Sequence, residues 1–437
     1  MDEASPTVLN YGTAAPASLA EAPPPAMSLQ RYMTLVGWGL LVTTLGQMQS
    51  LGEKPIRFLL KDQLGLSATQ MAMWLWVAIL PWSLKPIAGL LSDALPLFGS
   101  RRKYYLMLSS LLAGLLWFGM SIVPRHFYPL MVTAFLFNVM AVIASVVTGG
   151  LLVEGAQSHR ATGRLSSLRL VIINITYVVA GPVSGFLAGR WFGWTSIVCG
   201  ALFLSLPPVV LMLLRELPQP RRPDAPAALW EVWRQIKSLL PWNCWTLWIV
   251  GGLFFLIQVA PGLYTPLFYY QTNTLKFTPQ FIGNLGMIYG GMGLLGSFIY
   301  PFVCKRFRLR ALLALAIVCT IASNMAYLGY VSRHTAMIIE GSAGLGLTLA
   351  QLPLFDLAAR ATPRGSEALA YSLMIACWNW GLSLSDVLGS WLFDKFNQTF
   401  MNLVWVNAGT TALVLVVVPF LPRHLVDRKE GESLIAP

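Results

Sequence analysis

The sequence predicts an all-α membrane protein with twelve transmembrane helices in two six-helix halves and both termini cytoplasmic. Three observations predict it. The 437-residue chain is 56% apolar and 11% charged, with a mean hydropathy of +0.63. An average globular chain is roughly 45–50% apolar and about 25% charged. About twelve apolar runs are long enough to cross a bilayer. Lys and Arg concentrate in alternate connections, as expected of cytoplasmic loops. In a membrane chain the net charge of +12 belongs to those loops, so no nucleic-acid partner is expected. Cys199, Cys244, Cys304, Cys319 and Cys377 are odd in number and form no Cys-x-x-Cys pair, which suggests neither a disulfide framework nor a metal site.

Taken in order, residues 1–30 are rich in Ala and Pro, with Asp2, Glu3 and Glu21 as their charges. They read as a disordered cytoplasmic tail and not as a signal peptide. Spans at 32–60, 69–95, 102–123, 127–155, 162–188 and 193–215 make an N-terminal bundle over 31–216. The cytoplasmic linker 217–242 starts rich in Pro and Arg. It then sets Leu229, Val232, Trp233, Ile236 and Leu240 at helical spacing, an amphipathic helix for the inner surface. Spans at 243–270, 279–304, 309–331, 335–359, 365–393 and 400–421 make a C-terminal bundle over 243–422. Residues 423–437 form a second cytoplasmic tail.

This topology places roughly twenty Lys and Arg inside and about six outside, namely Lys61, Arg125, Arg190, Lys276, Arg333 and Lys395. The halves also echo one another. Leu64-Gly65-Leu66-Ser67-Ala68 precedes the second span, and Leu275-Lys276-Phe277-Thr278-Pro279 precedes the eighth. Ser67 and Thr278 suit N-caps, Gln70 completes a capping box, and Pro279 suits a first helical position.

The polar residues inside the spans are the candidates for chemistry. Gln47, Ser50, Lys54, Arg57 and Lys61 recur at steps of three and four, so one continuous helix would carry them on one face. Glu53 precedes Arg57 by one turn and can pair with it. Either the stripe lines a hydrated cavity, or the span ends near Leu51 and 53–61 is a solvated connection. Lys85 sits at bilayer depth, about 12 Å along the axis from Asp93. Its partner is therefore an anionic ligand or a group on another span. Arg169 has similar status, with Asn174 close to its face. Asp386, beyond Trp378-Asn379-Trp380, is a carboxylate at a depth where it can exchange a proton. It can equally serve a structural partner. Among the aromatics, Trp82, Tyr289 and Trp378 sit deep enough to stack on a flat heterocycle. Asp93 with Arg101, Arg102 and Lys103 reads as a conformational latch. Glu154 near Arg160 and Arg164, and Asp356 with Arg360, read as inner-rim ion pairs. His126, His159, His334 and His424 fall in loops or the tail, and no Gly-Lys-Ser/Thr loop exists. No catalytic constellation, cofactor or metal is expected, so the chain is not read as an enzyme.

The stretch LPWSLKPIAGLLSDALPLFGSRRK from Leu80 carries the Gly-x-x-x-Asp loop signature followed by a basic cluster. It resembles the major facilitator superfamily and, within it, the folate–biopterin transporters. Pro261 to Gly283 resembles that family's seventh-span end, and Gln351 to Gly381 its tenth-to-eleventh connection, with Pro363, Gly365 and Glu367 in place. Gly181-Pro182 and Gly185 resemble a fifth-span gating motif. The resemblance implies a monomeric, multi-pass carrier in a plasma, inner or organelle membrane. It would move anionic folates, pterins or similar small metabolites by alternating access, coupled to protons. Gln47, Lys54, Arg57, Trp82, Lys85, Arg169, Asn174, Tyr289, Trp378, Asn379 and Asp386 then become substrate candidates, and Glu53 and Asp386 proton-coupling candidates. One departure stands out. Ser145 and Gly149 occupy positions upstream of Val153-Glu154 where the family commonly has aspartates, which implies a shifted substrate. A carrier for an amino acid or nucleoside-like metabolite, and a non-transporting membrane assembly or pigment-handling factor, are the alternatives.

Overall fold

The computed structural model describes residues 27–85, 97–98, 100, 102–159, 161–215, 230, 234, 237, 244–304, 306–361 and 367–416. Among them every regular element is helical, apart from a lone bridge between Leu97 and Ser100. The first half of the chain runs through α1 (Leu29–Leu45), α2 (Glu53–Phe58), α3 (Ala68–Ile79), α4 (Lys103–Ile122), α5 (Phe127–Ser158), α6 (Thr162–Ala188), α7 (Phe192–Leu204) and α8 (Leu206–Leu213). The second half runs through α9 (Trp245–Gln258), α10 (Tyr264–Tyr269), α11 (Pro279–Cys304), α12 (Leu309–Ala326), α13 (Arg333–Ala361), α14 (Glu367–Lys395) and α15 (Phe400–Leu413). Seven described helical stretches are long and apolar enough to cross a bilayer, and two shorter ones are also apolar. Leu108, Leu111 and Leu115 on α4, Val132 and Leu136 on α5, and Leu295, Phe298 and Phe302 on α11 point outward and uncovered. Apolar stripes of that size need lipid against them. Trp230, Arg234 and Lys237 of the linker are helical and exposed. The apolar positions proposed for that helix lie outside the described residues.

Among the described residues several predicted spans are not continuous α-helices, and three of the interruptions bear on the site. The first span breaks between Leu45 and Glu53, where Gly46 and Gly52 pack edge-on against Phe203 and Trp117. A side chain at Gly52 would meet the Trp117 ring at 2.6 Å. The seventh breaks between Gln258 and Tyr264, at Pro261-Gly262. Gly262 donates its N–H to the Ser385 carbonyl at 2.8 Å, and Asn407 donates to the Pro261 carbonyl at 2.8 Å. These bonds satisfy backbone groups that a broken helix leaves open. The second passes from α-helix into a tighter 3-10 turn over Leu80–Leu84, with Pro81 near its start.

The breaks reveal an internal repeat. After each of the first and seventh breaks comes a six-residue helix, α2 or α10, and then a five-residue π-helical turn, Leu59–Gln63 or Tyr270–Thr274. Each turn ends on a left-handed residue, Gly65 at φ 63° and Lys276 at φ 52°. Ser67 then caps α3 with Gln70 in a complete capping box. Thr278 accepts from the Phe281 N–H to cap α11.

The core is divided unevenly. One buried cluster spans the first half and continues into 267–285, 327–343 and 393–404 of the second. A separate cluster holds 247–254, 309–317, 354–378 and Val414. Among the described residues, the core thus joins the chain halves at the end of the bundle that carries the 64–67 and 275–278 turns and is divided at the other. Gly181 and Gly185 of α6 meet Gly283 of α11 backbone to backbone at the fused end.

Lys276 sits where the first half has glycine, and its side chain makes a left-handed backbone costly by about 1 kcal/mol. Lys276→Gly is expected to raise the melting temperature in detergent. An unchanged or lower melting temperature contradicts this reading of the repeat.

Candidate functional site

Arg57 on α2 is only 4% exposed, so its charge must be answered by protein. Its Nη1 donates to Thr265 Oγ1 at 2.9 Å, and that hydroxyl donates to Asp386 Oδ2 at 2.7 Å. Asp386 Oδ1 accepts the Thr265 N–H at 2.9 Å. A threonine therefore relays between a guanidinium from the first half of the chain and a carboxylate from the second. The Tyr264 ring lies 4.2 Å from the guanidinium carbon. Glu53 Oε1 accepts from Lys54 Nζ at 2.7 Å and from the Tyr264 hydroxyl, and lies 3.7 Å from Arg57 Nε. The Lys54 N–H donates to Ser184 Oγ on α6 at 3.1 Å.

Further contacts continue this seam. The Thr69 N–H and hydroxyl both donate to Asp394 Oδ2, at 3.0 and 2.6 Å. Tyr269 donates to the Leu66 carbonyl, and Gln280 donates to the Pro182 carbonyl at 3.2 Å. Trp76 and Trp380 meet edge to face at 5.9 Å. Among the described residues, these bonds between chain halves gather at the fused end and extend to mid-depth.

The second feature lies within the first half. Lys85 Nζ donates to Ser145 Oγ at 3.1 Å and stands 5.3 Å from the Trp82 ring. Trp82 is fixed by donating to Asn138 Oδ1 at 2.8 Å. The strongest charge acting on Lys85 is another cation, Arg169, which is exposed on α6. Among the described residues, no carboxylate pairs with either. Gly149, one turn from Ser145, faces open space. The serine and glycine found where acids were expected thus lie beside an unneutralised pair of cations.

The predicted residues divide between these two places. Lys54, Arg57, Glu53 and Asp386 come together at the seam, while Trp82 and Lys85 meet within the first half and Arg169 lies exposed on α6. The stripe from Gln47 to Lys61 is not one helical face, because the break at 46–52 re-aims its first members. Gln47 donates to the Thr44 carbonyl at 3.0 Å, Ser50 is buried, and Lys61 pairs with Asp62 at 3.2 Å. Trp378 is buried against Phe254 and Phe355 in the second core cluster. Asn174, Tyr289 and Asn379 are half-buried. Glu154 pairs with Arg102, at 2.9 Å. Arg102 lies flat over Gly150, where a side chain would collide at 2.6 Å. Arg164 is exposed, Asp356 is half-buried, and Arg360 lies on α13. Asp93, Arg101 and Arg160 lie outside the described residues.

Sequence reasoning missed Thr265, Ser184 and Asp394, whose roles come from packing between distant helices. It also missed Glu340, a buried acid two turns into α13. A carboxylate inside a predicted span was a sufficient signal.

The fold is that of a facilitator-type membrane transporter, an integral multi-pass protein. The crystal structure of the nucleoside transporter NupG superposes with a TM-score of 0.71 at 11% identity, covering 90% of this chain and 99% of that one. Residues 46–434 match the model of the BT1 family, and the chain belongs to that family. A relative from Synechocystis sp., the folate-biopterin transporter, is 31% identical over 391 residues, 84% of this chain and 76% of the relative. Folate transporter 2 of Plasmodium falciparum is 23% identical over 407 residues, 86% of each chain. The family's members are transporters and not enzymes.

Asp386→Asn weakens the acceptor for both Thr265 donors and uncovers the Arg57 charge. It is expected to cost about 3 kcal/mol, the scale for breaking a buried ion pair. Thermal unfolding in detergent, with Thr265→Val and the double variant, should show strong non-additivity. Independent effects of the two substitutions contradict the relay.

Proposed function

We propose that this protein carries anionic folate- or pterin-type metabolites across the membrane by alternating access, driven by protons. The observation that carries this reading is the Lys85–Arg169 pair. Lys85, bonded to Ser145 with open space at Gly149 nearby and with the cation Arg169 as the strongest charge acting on it, is costly at bilayer depth unless an anion is delivered. A ligand with carboxylates and a flat ring would satisfy Lys85 and Arg169 and stack on Trp82. The names of the Synechocystis and Plasmodium relatives point to the same substrate class.

The reading comprises twelve spans in two six-helix bundles, with both termini inside and a monomer as the working unit. The fused end is then the outer gate, sealed by Arg57, Thr265 and Asp386, and the separated end opens inward. Arg102–Glu154 serves as a brace on the inner rim. Because Ser145 and Gly149 leave room where acids were expected, the preferred substrate carries more negative charge than an unsubstituted pterin.

Uptake into proteoliposomes tests this with labelled folic acid, biopterin and an unrelated neutral metabolite. Lys85→Ala and Arg169→Ala are each expected to lower folic acid uptake at least tenfold, about 1.4 kcal/mol of lost interaction, with a smaller effect on biopterin. Equal uptake by both variants and the wild type contradicts the anion site.

A further inference from the structure

Asn138 is a carboxamide closed inside the first half. It lies on α5 and is 0% exposed, so each of its polar atoms needs a partner. All have one. Nδ2 donates to the Ala134 carbonyl, one turn back on the same helix, at 3.0 Å, and to Met48 Sδ at 3.1 Å. Oδ1 accepts the Trp82 Nε1–H at 2.8 Å. A carbonyl only accepts, so the amide nitrogen must face Ala134 and the amide oxygen must face Trp82. Met48 is itself buried, in the break between α1 and α2, and closes the amide from the other side.

Trp82 stands on the 3-10 turn Leu80–Leu84, and Lys85 follows that turn directly. Such a turn has poorer hydrogen-bond geometry than an α-helix, so it does not by itself fix where both side chains point. α5 does. Asn138 holds Trp82 at 2.8 Å, and Ser145 holds Lys85 at 3.1 Å. The two holding residues are seven apart on α5 and share one helical face, about 10 Å from one another along its axis. One continuous helix thus sets the spacing between an indole ring and an ammonium, which lie 5.3 Å apart. A bond at the edge of the ring also stops it from turning about its side-chain torsions.

We propose that Asn138 is a positioning residue for substrate recognition. Its bond to the Trp82 indole presents the ring at a fixed place beside Lys85, so that a flat heterocycle stacks while an attached carboxylate reaches the ammonium. This inference rests on the carrier reading above and deepens it by naming what holds the ring-binding surface in place. Asn138 acts through Trp82 and not on the ligand. A ring released from it would sample other rotamers, and the ligand would have to order it on binding. Affinity falls, and the later steps of transport do not.

Counterflow of folic acid and biopterin by the full chain in liposomes tests this. Asn138→Leu removes the acceptor and keeps an apolar side chain in its place. It is expected to raise KM for both ligands roughly tenfold, the scale of one buried hydrogen bond, with Vmax unchanged. Lys85→Ala should raise KM mainly for folic acid, because biopterin brings the ring without the carboxylates. Trp82→Phe keeps an aromatic ring, loses the indole N–H and strands Asn138 Oδ1. It should raise both KM values and lower the melting temperature. Adding Asn138→Leu to Trp82→Phe should leave KM where it is and recover part of the melting temperature, because the stranded amide is gone. A wild-type KM for both ligands in folded Asn138→Leu or in Trp82→Phe overturns the proposal. So does a double variant whose KM is the product of the two single effects, or a fall in Vmax with KM unchanged, which would leave Asn138 only a part of the fold. Where Asn138→Leu does not fold, Trp82→Phe decides alone. Wild-type vesicles that exchange neither ligand sink the folate and pterin reading and the proposal together, whereas exchange indifferent to Asn138 sinks the proposal alone.

Discussion

A guanidinium that cannot reach water governs this structure. Arg57 is enclosed where the chain halves meet, and its partners come from both of them. Removing a charge from water costs several kcal/mol unless hydrogen bonds and a counter-charge replace the lost solvent. Here Thr265, Asp386, Glu53 and the Tyr264 ring supply that replacement, and they do so only while the halves touch. The seam is therefore specific in register: sliding α10 by one residue against α2 would strand the charge. The glycine contacts of α6 with α11 permit the approach, and the charged relay fixes it.

The ionisable groups are sorted by task. Carboxylates cluster at the seam, where each offsets a cation or accepts from a hydroxyl: Glu53, Asp386 and Asp394 all do so. Lys85 and Arg169 lie in the first half, and among the described residues no carboxylate pairs with either. Glu340 belongs to neither group and accepts a hydrogen bond from Tyr330. The break-and-turn device that carries Arg57 recurs in the second half as the device that carries Thr265, so both sides of the relay sit on equivalent short helices.

The sequence made much of the fold legible. Apolar run lengths located the helices, and the capping box at Ser67 and Gln70 is present as read. The echo between Leu64–Ala68 and Leu275–Pro279 marks the repeat, down to a left-handed residue in each turn. The breaks at 46–52 and 259–263 contain Gly46, Gly52 and Pro261-Gly262, but glycine and proline also occur inside continuous membrane helices, so they did not mark the breaks. A glycine that packs against Trp117 and one that merely lies in a helix look alike in sequence. That is why Gln47, Ser50 and Lys54 seemed to share a face. The pairing of Glu53 with Arg57 one turn apart was legible, whereas Thr265, the other partner of Arg57, and Arg102, the partner of Glu154, were not. Thr265 and Arg102 are brought to them by tertiary packing that no local spacing encodes. Trp378 packs on Phe254 and Phe355 in the second core cluster, a setting that hydrophobic depth alone does not separate from a cleft wall.

The central claim is that one end of the bundle is shut by the Arg57 relay while the other stands apart, and that the two exchange. Electron-spin distance measurements between labels at Gln70 and Lys395 on the fused end, and at Arg164 and Arg306 on the separated end, test it most directly. Titrating proton and folic acid across reconstituted protein is expected to lengthen the first distance as it shortens the second. Two distances that stay fixed, or that change in the same direction, would contradict the account.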